Sequence, residues 1–393
     1  MTERLYYDDA YLTEFDARVI SLDREGWFTL DRSAFYPTSG GQPYDTGVLE
    51  CGDTTLRVTD VQVRDGDVWH RTDLPAAVGM RVHGRVDWDR RFDHMQQHAA
   101  DHMLAGAAWE LYGGVTVGLH LGREDSTIDM DLPGGRTHLT QEETDALEAL
   151  VNARVQRDDP IRCWFPDAEE LALLPLRKRP TVAQHVRIVA MGDYEMVPCG
   201  GTHPRSTGQI GPVRILSCTP ARGKMRLCFV SGMRAVRFLQ KAARCAADLC
   251  HALSCGPEEA ADALERERAA FRDRQRDLDR RLALAALDRL ERTVCGHLYT
   301  AYLDFADHGT LLKAASVLVD RDPEALVLLS CPRGEGQALV FARGLEAAED
   351  MARLLRCSGG RGGGKPDMAQ GSAQDGTVLE NAAAAVREKC RMK

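Results

Sequence analysis

DRRFDHMQQHAADHMLAGAAWELY, residues 89–112, contains a single helix breaker, Gly106, and sets Phe92, Met95, Ala99 and Met103 at helical spacing. It reads as one amphipathic helix. His98 and His102 stand at i and i+4, so both imidazoles leave the same face and can reach one metal ion. His94 extends the row to a ladder of about 12 Å at a rise of about 1.5 Å per residue, too long for all three to share an ion. Spacing alone does not choose between the pairs.

A second donor pair lies far along the chain in Pro198-Cys199-Gly200-Gly201-Thr202-His203, where a thiol and an imidazole four residues apart sit in a glycine-rich loop. Two imidazoles joined by a thiolate and a third imidazole form a mixed N/S set suited to one tetrahedral zinc per chain. Either pair alone is also what a core cysteine or a turn histidine would leave in a sequence. Together they favour the metal. A site saturated by four protein ligands usually reads as structural, since catalytic zinc keeps a position for water or substrate. Such an ion fixes a pocket, unless one ligand yields.

Outward from these motifs the chain divides into an α+β arrangement of four parts. Residues 1–90 carry short apolar clusters (Val19 to Leu22, Trp27 to Leu30, Leu56 to Val63, Val68 to His70) with turn punctuation, predicting a small β-barrel. Residues 91–232 predict an α+β zinc-containing domain, with a second helix over Gln141 to Gln156 and strands near Val186 to Ala190 and Val213 to Leu216. Residues 233–294 predict a helical hairpin: Met233 to Leu253, a Cys-Gly-Pro break, then Pro257 to Arg292. Leu264, Phe271, Leu278 and Ala285 recur every seven residues, but Arg268 and Gln275 spoil the companion position, so an antiparallel pair fits better than a long coiled coil. Residues 295–393 predict a small α/β domain with strands at Ala325 to Ser330 and Ala338 to Ala342, a glycine run and a last helix over Val378 to Lys389.

With 393 residues, 44% of them hydrophobic, the chain can bury a substantial core. No signal-like apolar segment or membrane span is found, and twelve scattered cysteines without a CxxC pair read as reduced thiols, so a cytoplasmic location is expected. A net charge of -9 argues against an indiscriminate nucleic-acid binder. Charge is uneven, however. Met196 to Ala247 has no Asp or Glu while Arg205, Arg214, Arg222, Lys224, Arg226, Arg234, Arg237, Lys241 and Arg244 are basic, an electrostatic footprint unless acids from elsewhere in the fold neutralise it.

MQQHAADHML (95–104), followed by VRIVAMGDYEMVPCGGTHPRSTGQIGPVRIL (186–216), resembles the editing domain of alanyl-tRNA synthetases and their freestanding relatives, the AlaX proteins. That resemblance implies His98, His102, Cys199 and His203 as the zinc ligands, leaving His94 out. SAFYPTSGGQPYDTG (33–47) is similar to the family's FYPExGGQxxDxG stretch through Phe35, Tyr36, Pro37, Ser39, Gly40, Gly41, Gln42, Asp45 and Gly47, and GGRGGGKPDMAQGS (359–372) resembles the synthetases' carboxy-terminal domain. With the editing barrel beginning almost at residue 1, no segment remains for amino-acid activation, and the chain is expected to edit without charging. Three positions depart from the family: Ala99 replaces a threonine, Thr38 an acid, and Ser33 a threonine.

The reaction so implied is hydrolysis of serine, and secondarily glycine, from wrongly charged tRNA(Ala). Its site must place water on an ester carbonyl and stabilise an oxyanion. Gly40 and Gly41 offer backbone N–H groups, and Gln42 orients water or substrate, where the same residues would otherwise mark a plain turn. Thr29, Ser33 and Thr38 are candidates for the serine hydroxyl, a contact worth about 10⁴-fold in discrimination where the pairing is strict. Arg205, Arg214, Arg222, Lys224 and Arg226, with Gly362, Gly363, Lys365, Asp367 and Gln370, are candidate tRNA contacts, although GGRGGG by composition also fits a flexible linker. The resemblance also allows homodimerisation through the hairpin and last domain. Two rivals are a non-catalytic tRNA-binding protein retaining the zinc fold, suggested by Ala99 and Thr38, and a two-metal Asp-His-His phosphoesterase sharing the carboxy-terminal domain, disfavoured because Asp93-His94 is followed by Met95.

Overall fold

The computed structural model describes residues 1–180, 185–285, 290–293, 296–374 and 376–391. It forms two compact units, Met1–Ala246 and Ala247–Lys393. The predicted segments 1–90 and 91–232 therefore share one unit, while the predicted boundary at residues 294 and 295 falls outside the described residues.

In the first unit six strands close the expected barrel in the order Glu14–Leu22, Phe28–Leu30, Asp67–Thr72, Thr54–Arg64, Gly47–Cys51 and Arg81–Val86. Alternation drives it: Phe15, Ala17 and Val19 point inward between exposed neighbours and meet Phe28, Leu30, Leu49, Leu56, Val61 and Val68. Beyond the barrel lie a four-stranded antiparallel sheet (Val213–Ala221, Lys224–Ser231, Ser126–Asp131, Val115–Leu121) and a three-stranded one (Ile161–Trp164, Ile188–Met191, Glu195–Pro198).

A helix over Trp88–Tyr112 lies at the centre, begun by the Asp87 side chain accepting from the Arg90 N–H and ended by Gly113 in the left-handed region. It is not amphipathic as expected: every residue from His94 to Ala108 is buried. Its polar positions survive burial by bonding to neighbouring elements. Gln97 donates to the Ser231 carbonyl at 3.1 Å and accepts from the Ser231 N–H at 2.9 Å, and Gln96 donates to the Gln209 carbonyl at 2.9 Å. Gly106 is required by packing, since a Cβ there would lie 2.4 Å from Glu195 Oε2. The second predicted helix is found at Gln141–Gln156, started by a reciprocal capping box between Thr140 and Glu143.

Helices follow at Gly232–Leu253 and Ala260–Ala285. The latter was expected to reach Arg292, but Leu290–Thr293 is instead a strand antiparallel to Gly296–Tyr302. The second unit holds a six-stranded sheet whose only parallel pair, Gly296–Tyr302 with Ala325–Arg333, is bridged by the crossover helix His308–Arg321. Alternate side chains serve two cores: Val327, Leu329 and Val340 pack with that helix, whereas Leu326, Leu328 and Phe341 pack with Met351–Cys357 and Val378, Ala382 and Val386 of the last helix. This is the small α/β domain predicted. Its glycine run is no linker, because Arg361–Gly364 is an edge strand paired to Met368–Ala373. Among the described residues no helix is long and apolar enough to cross a membrane.

Candidate metal centre and its cavity

His98 and His102 project from the middle of the central helix, and Cys199 and His203 come from the loop that follows the strand Glu195–Pro198. One potential donor atom from each lies within 4.8 Å of the others, the single cluster of this kind among the described residues. Cys199 Sγ is 3.4 Å from His98 Nε2 and 3.8 Å from His203 Nε2. Metal–ligand bonds of about 2.0–2.1 Å to nitrogen and about 2.3 Å to sulfur, tetrahedrally arranged, put donors roughly 3.4–3.6 Å apart, so the set fits an ion such as zinc. Burial, then Arg187 and His94, lowers His98 to about 3, and burial above all holds His102 and His203 well below the ordinary histidine value. The imidazoles are thus neutral, as ligation requires. Burial pushes the Cys199 thiol up to about 12, a penalty that a bound cation reverses by favouring the thiolate. His94 is buried with Nδ1 unpartnered but stands apart from this cluster, in the wall of a cleft shared with Arg90, Arg234, Arg237 and Lys241.

The loop is shaped around the ligands. A Cβ on Gly201 would fall 2.1 Å from His98 Cε1, so only glycine fits. The buried Arg187 donates to the carbonyls of Cys199 at 3.1 Å and Gly201 at 2.8 Å. Gln42, expected to face substrate, is fully buried and holds the centre together instead. Its Oε1 accepts from His98 Nδ1–H at 2.9 Å and from the Thr202 N–H at 3.1 Å, while its Nε2 donates to Thr202 Oγ1 at 2.8 Å. This fixes the His98 tautomer with Nε2 free for metal. Replacing Gln42 with leucine is expected to weaken metal binding about 10–100-fold. Competition against a chromophoric chelator measures this, and an unchanged affinity would remove Gln42 from the supporting shell.

A cavity of about 320 Å³ opens beside the cluster, lined by His98, His102, Cys199 and Gly201 and also by Ser39, Gly40, Asp101, Thr116, Arg177 and Lys178. Gly41 backs this rim: its φ is +85°, and a Cβ would meet the Leu119 carbonyl oxygen at 2.7 Å. Asp101 is only 7% exposed, and its Oδ1 has no hydrogen-bond partner. Burial raises its carboxyl to about 7, against the pull of Arg177. Thr116 Oγ1 is likewise buried and unpartnered. Neither residue stands out in the sequence, where Asp101 is one polar position on a helix and Thr116 one of several strand threonines.

The expected hydroxyls lie elsewhere. Thr29 Oγ1 shares a hydrogen bond with Ser21 Oγ at 2.6 Å, Ser33 Oγ shares one with His70 Nε2 at 2.8 Å, and Thr38 is exposed in a bridge to Gln62; none lines the cavity. Ala99 is in the core, so its departure from the family does not touch the cavity. Part of the basic run pairs with acids from distant segments: Arg205 with Asp9 at 3.4 Å, Arg214 with Glu148 at 2.6 Å, Lys224 with Asp131 at 2.5 Å and Arg226 with Asp129 at 2.7 Å. Arg222, at φ +50° in a turn, has no ion pair among the described residues. Asp93, part of the rival phosphoesterase reading, is bound to Arg234 at 2.6 Å and joins no metal cluster. In the second unit Gly362 and Gly363 are in the edge strand, Lys365 and Asp367 are exposed in the following turn, and Gln370 accepts from His308 Nε2 at 2.8 Å. Cys51, Cys163, Cys199, Cys218, Cys228, Cys245, Cys250, Cys255, Cys331 and Cys357 are free.

Three family models match this chain: tRNA synthetases class II (A) over residues 9–90, the threonyl and alanyl tRNA synthetase second additional domain over 186–227, and the DHHA1 domain over 296–392. The alanine-tRNA ligase of Thermococcus kodakarensis is 30% identical over 98% of this chain and 43% of the ligase, and that of Pyrococcus abyssi is 31% identical over 95% of this chain and 42% of the ligase. The chain therefore spans less than half the length of these curated relatives. The C-Ala domain of Aquifex aeolicus alanyl-tRNA synthetase overlaps 26% of this chain and 96% of its own at 20% identity, with a TM-score of 0.24 that is too low to bear on the fold. Matches at the barrel, the Cys199–His203 segment and the carboxy-terminal unit, together with relatives aligned along almost all of the chain, place it in the AlaX-like, alanyl-tRNA synthetase-derived family.

Proposed function

We propose that the protein is a trans-acting, zinc-dependent deacylase that removes serine, and secondarily glycine, from tRNA(Ala) in the cytoplasm. The observation that carries this reading is the four-donor centre in the wall of a cavity about the size of an aminoacyl terminus, with unpartnered polar atoms around it. His98, His102, Cys199 and His203 would hold a zinc ion, which would supply positive charge beside the ester carbonyl. Water adds to the carbonyl carbon, the tetrahedral species collapses, and the ribose oxygen leaves with a proton, yielding free amino acid and uncharged tRNA. Ser39 and Gly40 line the cavity, and the Gly40 N–H is the candidate oxyanion donor. Arg222 and the exposed Lys365, Asp367 and Gln370 are the retained candidates for tRNA contact.

The test is release of amino acid from serine-, glycine- and alanine-charged tRNA(Ala) by the purified metal-loaded protein. Serine is expected to leave well above the buffer rate while alanine stays. Binding of tRNA without any release of serine would replace this reading with that of a non-catalytic tRNA-binding protein.

A further inference from the structure

The helix Gly232–Leu253 runs into the sequence Cys250-His251-Ala252-Leu253-Ser254-Cys255-Gly256-Pro257. Two backbone bonds close its end: the Cys255 N–H donates to the Cys250 carbonyl at 3.1 Å, and the Ser254 N–H donates to the His251 carbonyl at 3.2 Å. Ser254 takes up the left-handed region, at φ +52°. These bonds and that dihedral make a Schellman ending, which brings the side chains of its first and sixth residues together, commonly as an apolar contact. Here both positions are cysteines. Their thiols are hydrogen-bonded to each other.

The pair is reachable as well as close. Cys250 and Cys255 are partly exposed, and His251, Ser254, Gly256 and Pro257 around them are exposed. Cys163, Cys199 and Cys218 instead pack against the first unit's core, and Cys331 is buried. The ending also lacks glycine where glycine is easiest: serine holds the positive φ, so the turn relies on the contact that spans it. Partial burial, then Cys250 and Glu259, push the Cys255 thiol up. A thiolate that its surroundings do not favour is a poor leaving group, so a disulfide made there resists reduction.

We propose that Cys250 and Cys255 are a reversible disulfide site, oxidised by low-molecular-weight disulfides of the glutathione type, that clamps the end of this helix. One cysteine thiolate attacks a sulfur of the small disulfide, forming a mixed disulfide and releasing one small thiol. The second cysteine displaces the other small thiol and closes the ring. Two protons and two electrons leave the protein, and one disulfide becomes two thiols. In a reducing compartment such a bond is transient and reports the thiol–disulfide balance rather than holding the fold together. The site does not draw on the deacylase reading.

The test uses the full-length, metal-loaded protein, equilibrated with mixtures of reduced and oxidised glutathione, quenched in acid, alkylated and cut with trypsin. Cleavage after Arg244 and Arg266 leaves Cys245, Cys250 and Cys255 on one peptide. Mass spectrometry is expected to find that peptide lighter by two hydrogens, with its alkyl group on Cys245. Half-oxidation should come at a glutathione ratio about tenfold more reducing than in the urea-unfolded protein, where the turn no longer raises the effective concentration of the thiols. Cys255→Ser should instead keep glutathione on Cys250 as a lasting mixed disulfide. Oxidation of the wild-type protein should slow amide hydrogen exchange at Ser254 and Cys255 about tenfold, because the turn must open for them to exchange. Separate glutathione adducts on Cys250 and Cys255, thiols still free where Cys245 is already modified, or a midpoint equal to that of the unfolded chain would overturn the site. Exchange unchanged by oxidation would overturn the clamp.

Discussion

Cys199→Ala is expected to abolish stoichiometric zinc binding and lower the unfolding temperature of the unit holding the centre, as a chelator should in the wild-type protein. A ligand bound only by the folded state stabilises it by about 4 kcal/mol when present at a thousand times its dissociation constant. At about 2–4 °C per kcal/mol for a unit of this size, the fall is roughly 8–16 °C. The buried groups explain the dependence. Three neutral imidazoles and a thiol converge where little else satisfies them, and Nδ1 of both His102 and His203 lacks a partner. Arg187 and Gly201 hold the loop in place, but they cannot substitute for the missing charge at its centre. Metal analysis and thermal unfolding, each with and without chelator, provide the measurement. A variant retaining one zinc per chain at wild-type stability would refute the assigned ligand set.

The four donors that converge were legible because each pair is local. An i, i+4 pair on a helix and a CxxxH loop announce themselves within five residues, and only their meeting requires the fold. Gln42 was visible within a motif, but its role was not: its partners His98 and Thr202 are 56 and 160 residues away. The same distance hid the fate of the basic run, since Glu148 and Asp129, which neutralise Arg214 and Arg226, lie 66 and 97 residues earlier. Asp101 and Thr116 were missed for another reason. A polar residue on a helix reads as surface, and this helix is enclosed on all sides; a threonine in a strand carries no sign that a bulge will aim it into a cavity. Local pattern likewise found the barrel, the capped helix and the α/β unit, and the glycine run, which composition alone left open to a linker, is an edge strand paired with the strand that follows it.

A buried ion pair apart from the four donors ties down the wall of their cavity. Arg91 and Asp45 are wholly buried, 2.5 Å apart, and join the central helix to the segment between Ser33 and Gly47. Arg91 also donates to the carbonyls of Ala10 and Ala34, and Asp45 Oδ2 accepts from the Tyr36 N–H at 2.6 Å. Tyr36 in turn lines the metal cavity. Removing one member leaves a desolvated charge behind, so Asp45→Ala is expected to cost about 3–5 kcal/mol, or roughly 6–20 °C in unfolding temperature. Replacing both residues with apolar ones of similar volume should recover part of that loss, because the penalty lies in the uncompensated guanidinium more than in the lost attraction. Denaturant unfolding of the single and double variants tests this. If Asp45→Ala cost under about 1 kcal/mol, the pair would behave like an exposed one, and the seating of the Tyr36 segment against the central helix would have to come from its other bonds, Gln42 Oε1 accepting from His98 Nδ1–H at 2.9 Å and the Tyr44 carbonyl accepting from Arg90 Nε–H at 3.0 Å.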